Sequence, residues 1–278
     1  MTASPTTPSL AQMAGTIVLA GAGKMGGALL AGWLERRLDA CDVVIVEPHP
    51  TAEITALTAR GVRINPPSQD VGSVAALVVA VKPQIFRDAG PALRPFVGAG
   101  TLVLSIMAGT TIAAIAEVCG GSVVRAMPNT PAAIGRGITV AVPASTVSAG
   151  QRAMADALLR ATGAVQWIDD EALMDAVTAV SGSGPAYVFL LAEELARAGV
   201  EAGLPAALAT TLARETVSGS GELLRRSELD SATLRQNVTS PGGTTAAALE
   251  VLMGADGMPS LLTRAVAAAT KRSKQLAK

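Results

Sequence analysis

Few side chains in this sequence could move a proton, and that scarcity constrains any chemistry assigned to it. There is one histidine, His49, one tyrosine, Tyr187, and no lysine between Lys82 and Lys271. Two glycine-bearing stretches stand out instead. Residues 18–34 read VLAGAGKMGGALLAGWL and residues 239–252 read TSPGGTTAAALEVL, and in each the glycines feed into a helical run. A glycine turn at a helix start presents free backbone N–H groups, a common way to hold an anion. In the first stretch, Gly21-Ala22-Gly23-Lys24-Met25-Gly26 fits G-x-G-x-x-G, leaves an apolar run at 16–20 and opens a helix at 25–37. That context predicts dinucleotide binding: one glycine for the tight turn, one to admit a pyrophosphate, one for helix–strand packing. The alternative is a strand–helix turn with no ligand. In the second stretch, Ser240, the amides of Gly242, Gly243, Thr244 and Thr245 and the helix start make an anion nest suited to a carboxylate. The rival there is a capped inter-helix turn, which composition alone favours.

The elements that must position these loops follow from the hydrophobic pattern. Residues 16–20, 42–47, 76–81 and 101–106 are short β-rich apolar runs, with weaker ones at 123–127, 138–142 and 165–168. Such runs without strict alternation suit strands buried on both faces. Helical patterns lie between them at 25–37, 51–60, 84–93, 110–118 and 147–161. The alternation predicts a Rossmann-type, doubly wound α/β domain over 15–170, after a loose tail at 1–14. From Glu171 onward the pattern is only helical, at 171–180, 185–202, 205–225, 228–237, 243–253 and 257–275, and predicts an all-α domain over 171–278. Several of these helices, 186–199 among them, are apolar on more than one face, which points to burial in a homo-oligomer; the alternative is a large core within the domain.

In an open α/β sheet, ligands bind beyond the carboxyl ends of the strands. The second strand ends at Glu47, followed by Pro48; an acid about twenty positions past the glycines accepts hydrogen bonds from the adenosine ribose. Glu47 would also repel a 2′-phosphate, and Pro48-His49-Pro50 offers no arginine to receive one, so NADH is expected over NADPH. Ala80, Val81, Lys82 and Pro83 leave the third strand run, Met107 and Ala108 the fourth, and Asn129 the fifth, where two prolines stiffen the loop. Lys82 as a solvated loop lysine and Asn129 as part of a plain turn are the rival readings.

The formal net charge is zero, and aromatic residues make up only 2 % of the chain, so neither an electrostatic footprint nor a stacking platform for nucleic acid is present. Cys41 and Cys119 stand in unrelated contexts, and neither a disulfide framework nor a metal site is expected. No leader or membrane span is read from the sequence, and a cytoplasmic enzyme is expected. Reduction of a ketone calls for a positioned acid, which is scarce here. A protonated imine brings its own positive charge and accepts hydride at carbon, so orientation and one hydroxyl suffice. A 3-hydroxyacid or 6-phosphogluconate-like dehydrogenase shares the domain plan but needs the missing lysine. A non-catalytic dinucleotide sensor would bind cofactor without turnover.

With those residues in view, the chain resembles the pyrroline-5-carboxylate reductase family. The resemblance rests on GAGKMGGAL (21–29), VKPQ (81–84), SIMAGT (105–110), RAMPNTPA (125–132), DAVTAVSGSGPAYVF (175–189) and NVTSPGGTT (237–245). It implies NAD(P)H-dependent reduction of 1-pyrroline-5-carboxylate to L-proline and a homodimer through the helical domain, often within larger rings such as a decamer. It also implies that Ser240, Gly243 and Thr245 bind the substrate carboxylate, with the Thr245 hydroxyl near the ring nitrogen as proton donor or orienter. Glu228 would face that nitrogen, and Glu171 and Asn237 would lie near cofactor and substrate. SGSGPAY (181–187) would turn the helical domain toward the nicotinamide, with Ser183 as cap. One departure bears on the adenosine end: family members often carry an asparagine there, where this chain reads Asn65-Pro66-Pro67-Ser68.

Overall fold

The run TIVLA becomes the central strand β1 (Thr16–Ala20), and all of its residues are buried. In the computed structural model, which describes residues 10–276, β1 leads into helix α1 (Lys24–Glu35). Then come β2 (Val43–Val46), α2 (Ala52–Ala56), β3 (Arg63–Ile64), β4 (Val74–Val79), α3 (Pro83–Ala89), β5 (Leu102–Ser105), α4 (Ile112–Cys119) and β6 (Ser122–Met127). The unit continues with β7 (Gly137–Pro143), α5 (Ala149–Arg160), β8 (Gly163–Trp167) and α6 (Met174–Val177). The eight strands form one sheet in the order β3-β2-β1-β4-β5-β6-β7-β8. Its first six strands have the 3-2-1-4-5-6 order of a doubly wound nucleotide-binding sheet, so the order reverses between β1 and β4. Pairing is parallel except between β6 and β7. There the connection holds only a short 3-10 turn, Thr130–Ile134, too little chain for a crossover.

Two apolar layers sandwich the sheet. One gathers Leu29, Leu30 and Trp33 of α1 with Leu158 and Leu159 of α5 against Ile17, Leu19 and Ile45. The other sets Phe86, Leu93 and Ile115 on Val18, Leu77 and Val103. Trp33 is fully buried, and its indole Nε1 donates to the Leu158 carbonyl at 2.9 Å, which locks α1 to α5. Strand β3 was not expected: its two residues are too short for a hydrophobic period to register. The helix expected over 84–93 divides into α3 and a 3-10 turn, Gly90–Phe96, because Pro91 and Pro95 remove backbone donors.

The chain divides into two compact units, residues up to Gly182 with those from Thr270 onward, and residues Ser183–Ala269. The first unit therefore extends past the expected boundary at 170. Met174 and Ala179 are buried in it, and Ser273 donates to the Asp175 carboxylate at 2.6 Å. At the other end, residues 1–9 of the expected tail lie outside the described residues, but Leu10–Gln12 form a 3-10 turn with Leu10 buried, so the tail is shorter than expected.

The second unit contains α7 (Gly184–Glu201), α8 (Ala206–Arg226), α9 (Ser231–Asn237), α10 (Thr244–Leu252) and the first part of α11 (Met258–Leu276). Among its described residues, only Pro185, Ala209 and Ala213 are buried. Phe189 is 66 % exposed and Val251 76 %. A helical unit with no large side chain inside it does not have the burial to stand alone. Large apolar side chains, Phe189, Leu190, Leu223 and Val251 among them, stand exposed on its helices.

Candidate active site

Each cofactor residue expected from the sequence lies beyond the carboxyl end of a strand, and backbone bonds tie these ends together. Gly21 N–H donates to the Val46 carbonyl at 2.9 Å, Ala80 to Ala20 at 2.7 Å and Ile106 to Val79 at 3.0 Å. The first loop thus sits at the reversal between β1 and β4, beside Ala80, Val81, Lys82 and Pro83. Lys82 is the exposed residue preceding α3, and the Ser105 hydroxyl accepts from Met107 N–H at 3.3 Å, fixing the Met107–Ala108 turn. Asn129 has a structural job as well: its Oδ1 accepts from Ile138 N–H at 3.0 Å and stiffens the loop after β6.

The three motif glycines are required for three different reasons. Gly21 has φ +90°, and a Cβ there would lie 2.8 Å from the Ala80 carbonyl oxygen. A Cβ on Gly26 would lie 2.1 Å from the Gly21 oxygen, so α1 could not approach β1. A Cβ on Gly23 would meet nothing within 4 Å. The packing of the protein itself does not demand a glycine there, and the space beside it is open. Gly23 also begins α1 without a side-chain cap, whereas Thr51, Thr111, Ser148 and Asp230 cap α2, α4, α5 and α9 with their own oxygens. The first-turn amides of α1, at Lys24 and Met25, are left for a ligand. The Glu47 carboxylate accepts from Ala22 N–H at 3.0 Å and from His49 N–H at 3.1 Å, which places its charge at the rim of this loop. These residues fit a nicotinamide dinucleotide.

The second loop has the same construction. A turn closed by Gly243 N–H donating to the Ser240 carbonyl at 3.0 Å, with Gly242 at φ +69°, leads into α10. Gly243 starts that helix with no side-chain cap, and the amides of Thr244 and Thr245 precede the first helical bond, from Ala247 to Gly243. Ser240 is exposed and Thr245 half-buried. Asn237 is the exposed last residue of α9. Glu228 is not in a helix, as the expected range 228–237 had it. Asp230 is the cap of α9, so Glu228 lies in the exposed link between α8 and α9.

Glu171 is occupied within the first unit. Its Oε1 accepts from Ile112 N–H at 2.8 Å, complementing the start of α4, and from the Arg125 guanidinium at 2.8 Å. That engagement makes it a strut between α4 and β6. Arg125, only 4 % exposed, is the residue the sequence reading left without a role. The signal was a lone charge in the apolar strand SVVRAM. The segment Thr178–Gly182 winds as a π turn, and Ser183 starts α7 by position but forms no cap with its side chain. Neither thiol is poised as a nucleophile: burial pushes Cys119 up to about 11, and the adjacent Asp39 carboxylate raises Cys41. Among the described residues no group of three or more His, Cys, Asp or Glu side chains could hold a metal ion.

Comparison with known proteins agrees with this geometry. The pyrroline-5-carboxylate reductase dimerisation family matches residues 171–276, and the coenzyme F420-dependent NADP oxidoreductase family matches residues 16–109. A pyrroline-5-carboxylate reductase of a Synechocystis species is 42 % identical over 266 residues, covering 93 % of this chain and 97 % of that protein. The chain belongs to the pyrroline-5-carboxylate reductase family. Among solved structures, the pyrroline-5-carboxylate reductase of Coxiella burnetii superposes with a TM-score of 0.87 at 31 % identity, covering 95 % of this chain and 99 % of that one. The Plasmodium falciparum pyrroline carboxylate reductase, solved with NADP bound, superposes at 0.79 with 28 % identity, covering 95 % and 98 %. The pyrroline-5-carboxylate reductase fold therefore extends over both units.

Proposed function

We infer that this protein reduces the C=N bond of 1-pyrroline-5-carboxylate to give L-proline, as a dimer formed through its helical unit. The observation that carries the reading is the pair of glycine-started helices, α1 and α10, whose first-turn amides have no side-chain cap. Bound to the first loop, a reduced nicotinamide dinucleotide supplies the hydride. The amides following Gly23 hold its pyrophosphate, and Glu47, Pro48, Ala80, Val81, Lys82, Pro83, Met107, Ala108 and Asn129 line its path along the rim. The amides of Gly243, Thr244 and Thr245 with the Ser240 hydroxyl hold the substrate carboxylate. The Thr245 hydroxyl orients the ring nitrogen, with Glu228 and Asn237 nearby. Because the imine is already cationic, no strong acid is needed, which matches a chain with one histidine and one tyrosine.

The fixed charge of Glu47 supports NADH over NADPH, since a 2′-phosphate would face a carboxylate. Two free thiols, Cys41 and Cys119, support a reducing, cytoplasmic setting. The apolar area left on α7, α8, α10 and α11 supports assembly to a dimer or further, to a decamer. The test is oxidation of NADH and NADPH with 1-pyrroline-5-carboxylate by wild type and Thr245→Ala. Truncation lowers turnover about ten-fold or more. Full turnover by Thr245→Ala would remove Thr245 from the mechanism, and a strong preference for NADPH would overturn the reading of Glu47.

A further inference from the structure

Asn65 has a conformation that its own surroundings do not demand. It is exposed, yet its φ is +49°, a left-handed value that among the described residues only it and Arg37 adopt without being glycine. Asparagine tolerates that region better than most residues. The geometry follows from the end of the β2–β3 ladder. Asn65 N–H donates to the Ile45 carbonyl at 2.8 Å, extending the parallel pairing of Ile45 with Ile64. The next rung requires an N–H from residue 67 to the Glu47 carbonyl, and residue 67 is proline. The Asn65 side chain supplies that rung. Its Nδ2 donates to the Glu47 carbonyl at 2.9 Å, and its Oδ1 accepts from Glu47 N–H at 2.8 Å. Glu47 is gripped at both backbone groups, and its carboxylate then spans Ala22 N–H and His49 N–H. Each carboxylate oxygen keeps a second lone pair for a ribose hydroxyl.

We propose that Asn65 is a positioning residue that sets the choice between NADH and NADPH by fixing the Glu47 carboxylate at the first glycine loop. The inference rests on the cofactor reading of Glu47 given above. With two hydrogen bonds on its backbone and two on its carboxylate, Glu47 cannot swing away from an incoming 2′-phosphate, whereas a free side chain can rotate into solvent and relieve the repulsion.

The experiment uses wild type, Asn65→Gly, Asn65→Asp, Glu47→Gln and the Asn65→Gly/Glu47→Gln double variant. Glycine keeps the left-handed φ accessible, so the loop retains its path. Dissociation constants for NADH and NADPH are titrated by nicotinamide fluorescence, and hydrogen exchange of the Ala22 amide is followed without dinucleotide. In Asn65→Gly, Kd for NADH rises about five- to ten-fold, the scale of one lost hydrogen bond, while Kd for NADPH falls. Exchange at Ala22 quickens by a similar factor, and the effect falls on Kd and KM rather than on kcat. Asn65→Asp, which keeps the acceptor and loses the donor, moves in the same direction. In the double variant the cofactor ratio equals that of Glu47→Gln alone. Equal weakening of both cofactors, unchanged exchange at Ala22, or additive effects in the double variant would overturn the proposal. If Glu47→Gln shifts the cofactor ratio and Asn65→Gly does not, only the proposal falls; if Glu47→Gln leaves the ratio untouched, the Glu47 reading falls with it.

Discussion

Gly23 and Gly26 lie in one loop, and replacing each with alanine separates what the fold needs from what a ligand needs. At Gly26 the added Cβ would be 2.1 Å from the Gly21 oxygen and 3.2 Å from the Ala80 side chain. Alanine returns about 1 kcal/mol of helix propensity. Overpacking against two rigid neighbours costs about 3 kcal/mol, the upper end of the usual range. The net loss is about 2 kcal/mol, a fall in Tm of about 4–8 °C for a unit of this size. At Gly23 the backbone is extended, with φ −69° and ψ −164°, and the Cβ meets nothing. The cost there is limited to the poorer cap preference of alanine, about 1 kcal/mol or less, or about 2–4 °C. Dinucleotide binding behaves in the opposite sense. The Gly23→Ala methyl fills the space proposed for the pyrophosphate, and Kd for NADH rises at least about ten-fold, equivalent to about 1.4 kcal/mol. Thermal unfolding of the free protein and a fluorescence titration with NADH read the two effects. Wild-type affinity in a well-folded Gly23→Ala protein would refute that role for the open space beside Gly23.

Glu171→Ala leaves the buried Arg125 guanidinium unpaired and lowers stability by about 3 kcal/mol in denaturant titration, whereas replacing both residues with methionine costs much less; equal losses would mean that the pair is not coupled. Hydrogen bonds from the Thr233 backbone and hydroxyl hold Asp230 below the usual carboxylate range. The stabilisation of α9 is therefore complete above the unfolded-state pKa and is lost as pH falls through the lower folded-state value, so protection of the Thr233 amide relative to its intrinsic exchange rate falls below about pH 4. In Asp230→Asn that pH dependence disappears. Phe189→Glu, on the exposed face of α7, dissociates the dimer as judged by light scattering; an intact dimer would move the interface off this face.

The sheet and most helices were legible because buried parallel strands write themselves as unbroken apolar runs, as TIVLA and VAALVV do. What escaped depends on partners distant in sequence. The direction of β7 is set by the shortness of its connection to β6, not by the residues ITVAV. The start of α9 is set by Asp230, which directly follows Glu228 and Leu229, residues that look equally helical. The unit boundary at Gly182 is set by where Met174 and Ala179 find burial. In the site, G-x-G-x-x-G was visible because its glycines sit at fixed spacing. Asn65 was not, since its role comes from a missing proline N–H on the neighbouring rung, and Glu171 reads as a free acid until Arg125 is beside it.

The near-absence of large buried side chains between Ser183 and Ala269 has a consequence for how the protein must be handled. In the proposed dimer, much of the stability of the helical unit comes from a second chain, so it varies with protein concentration. Where dimer and unfolded chain are the only species, each ten-fold dilution removes about 1.4 kcal/mol from the assembled state. Melting temperatures measured at different concentrations will disagree, and they will do so in a calculable way. Activity assayed in very dilute solution will decay with time even when every residue of the site is intact. Added partner chain, active or not, will slow that decay.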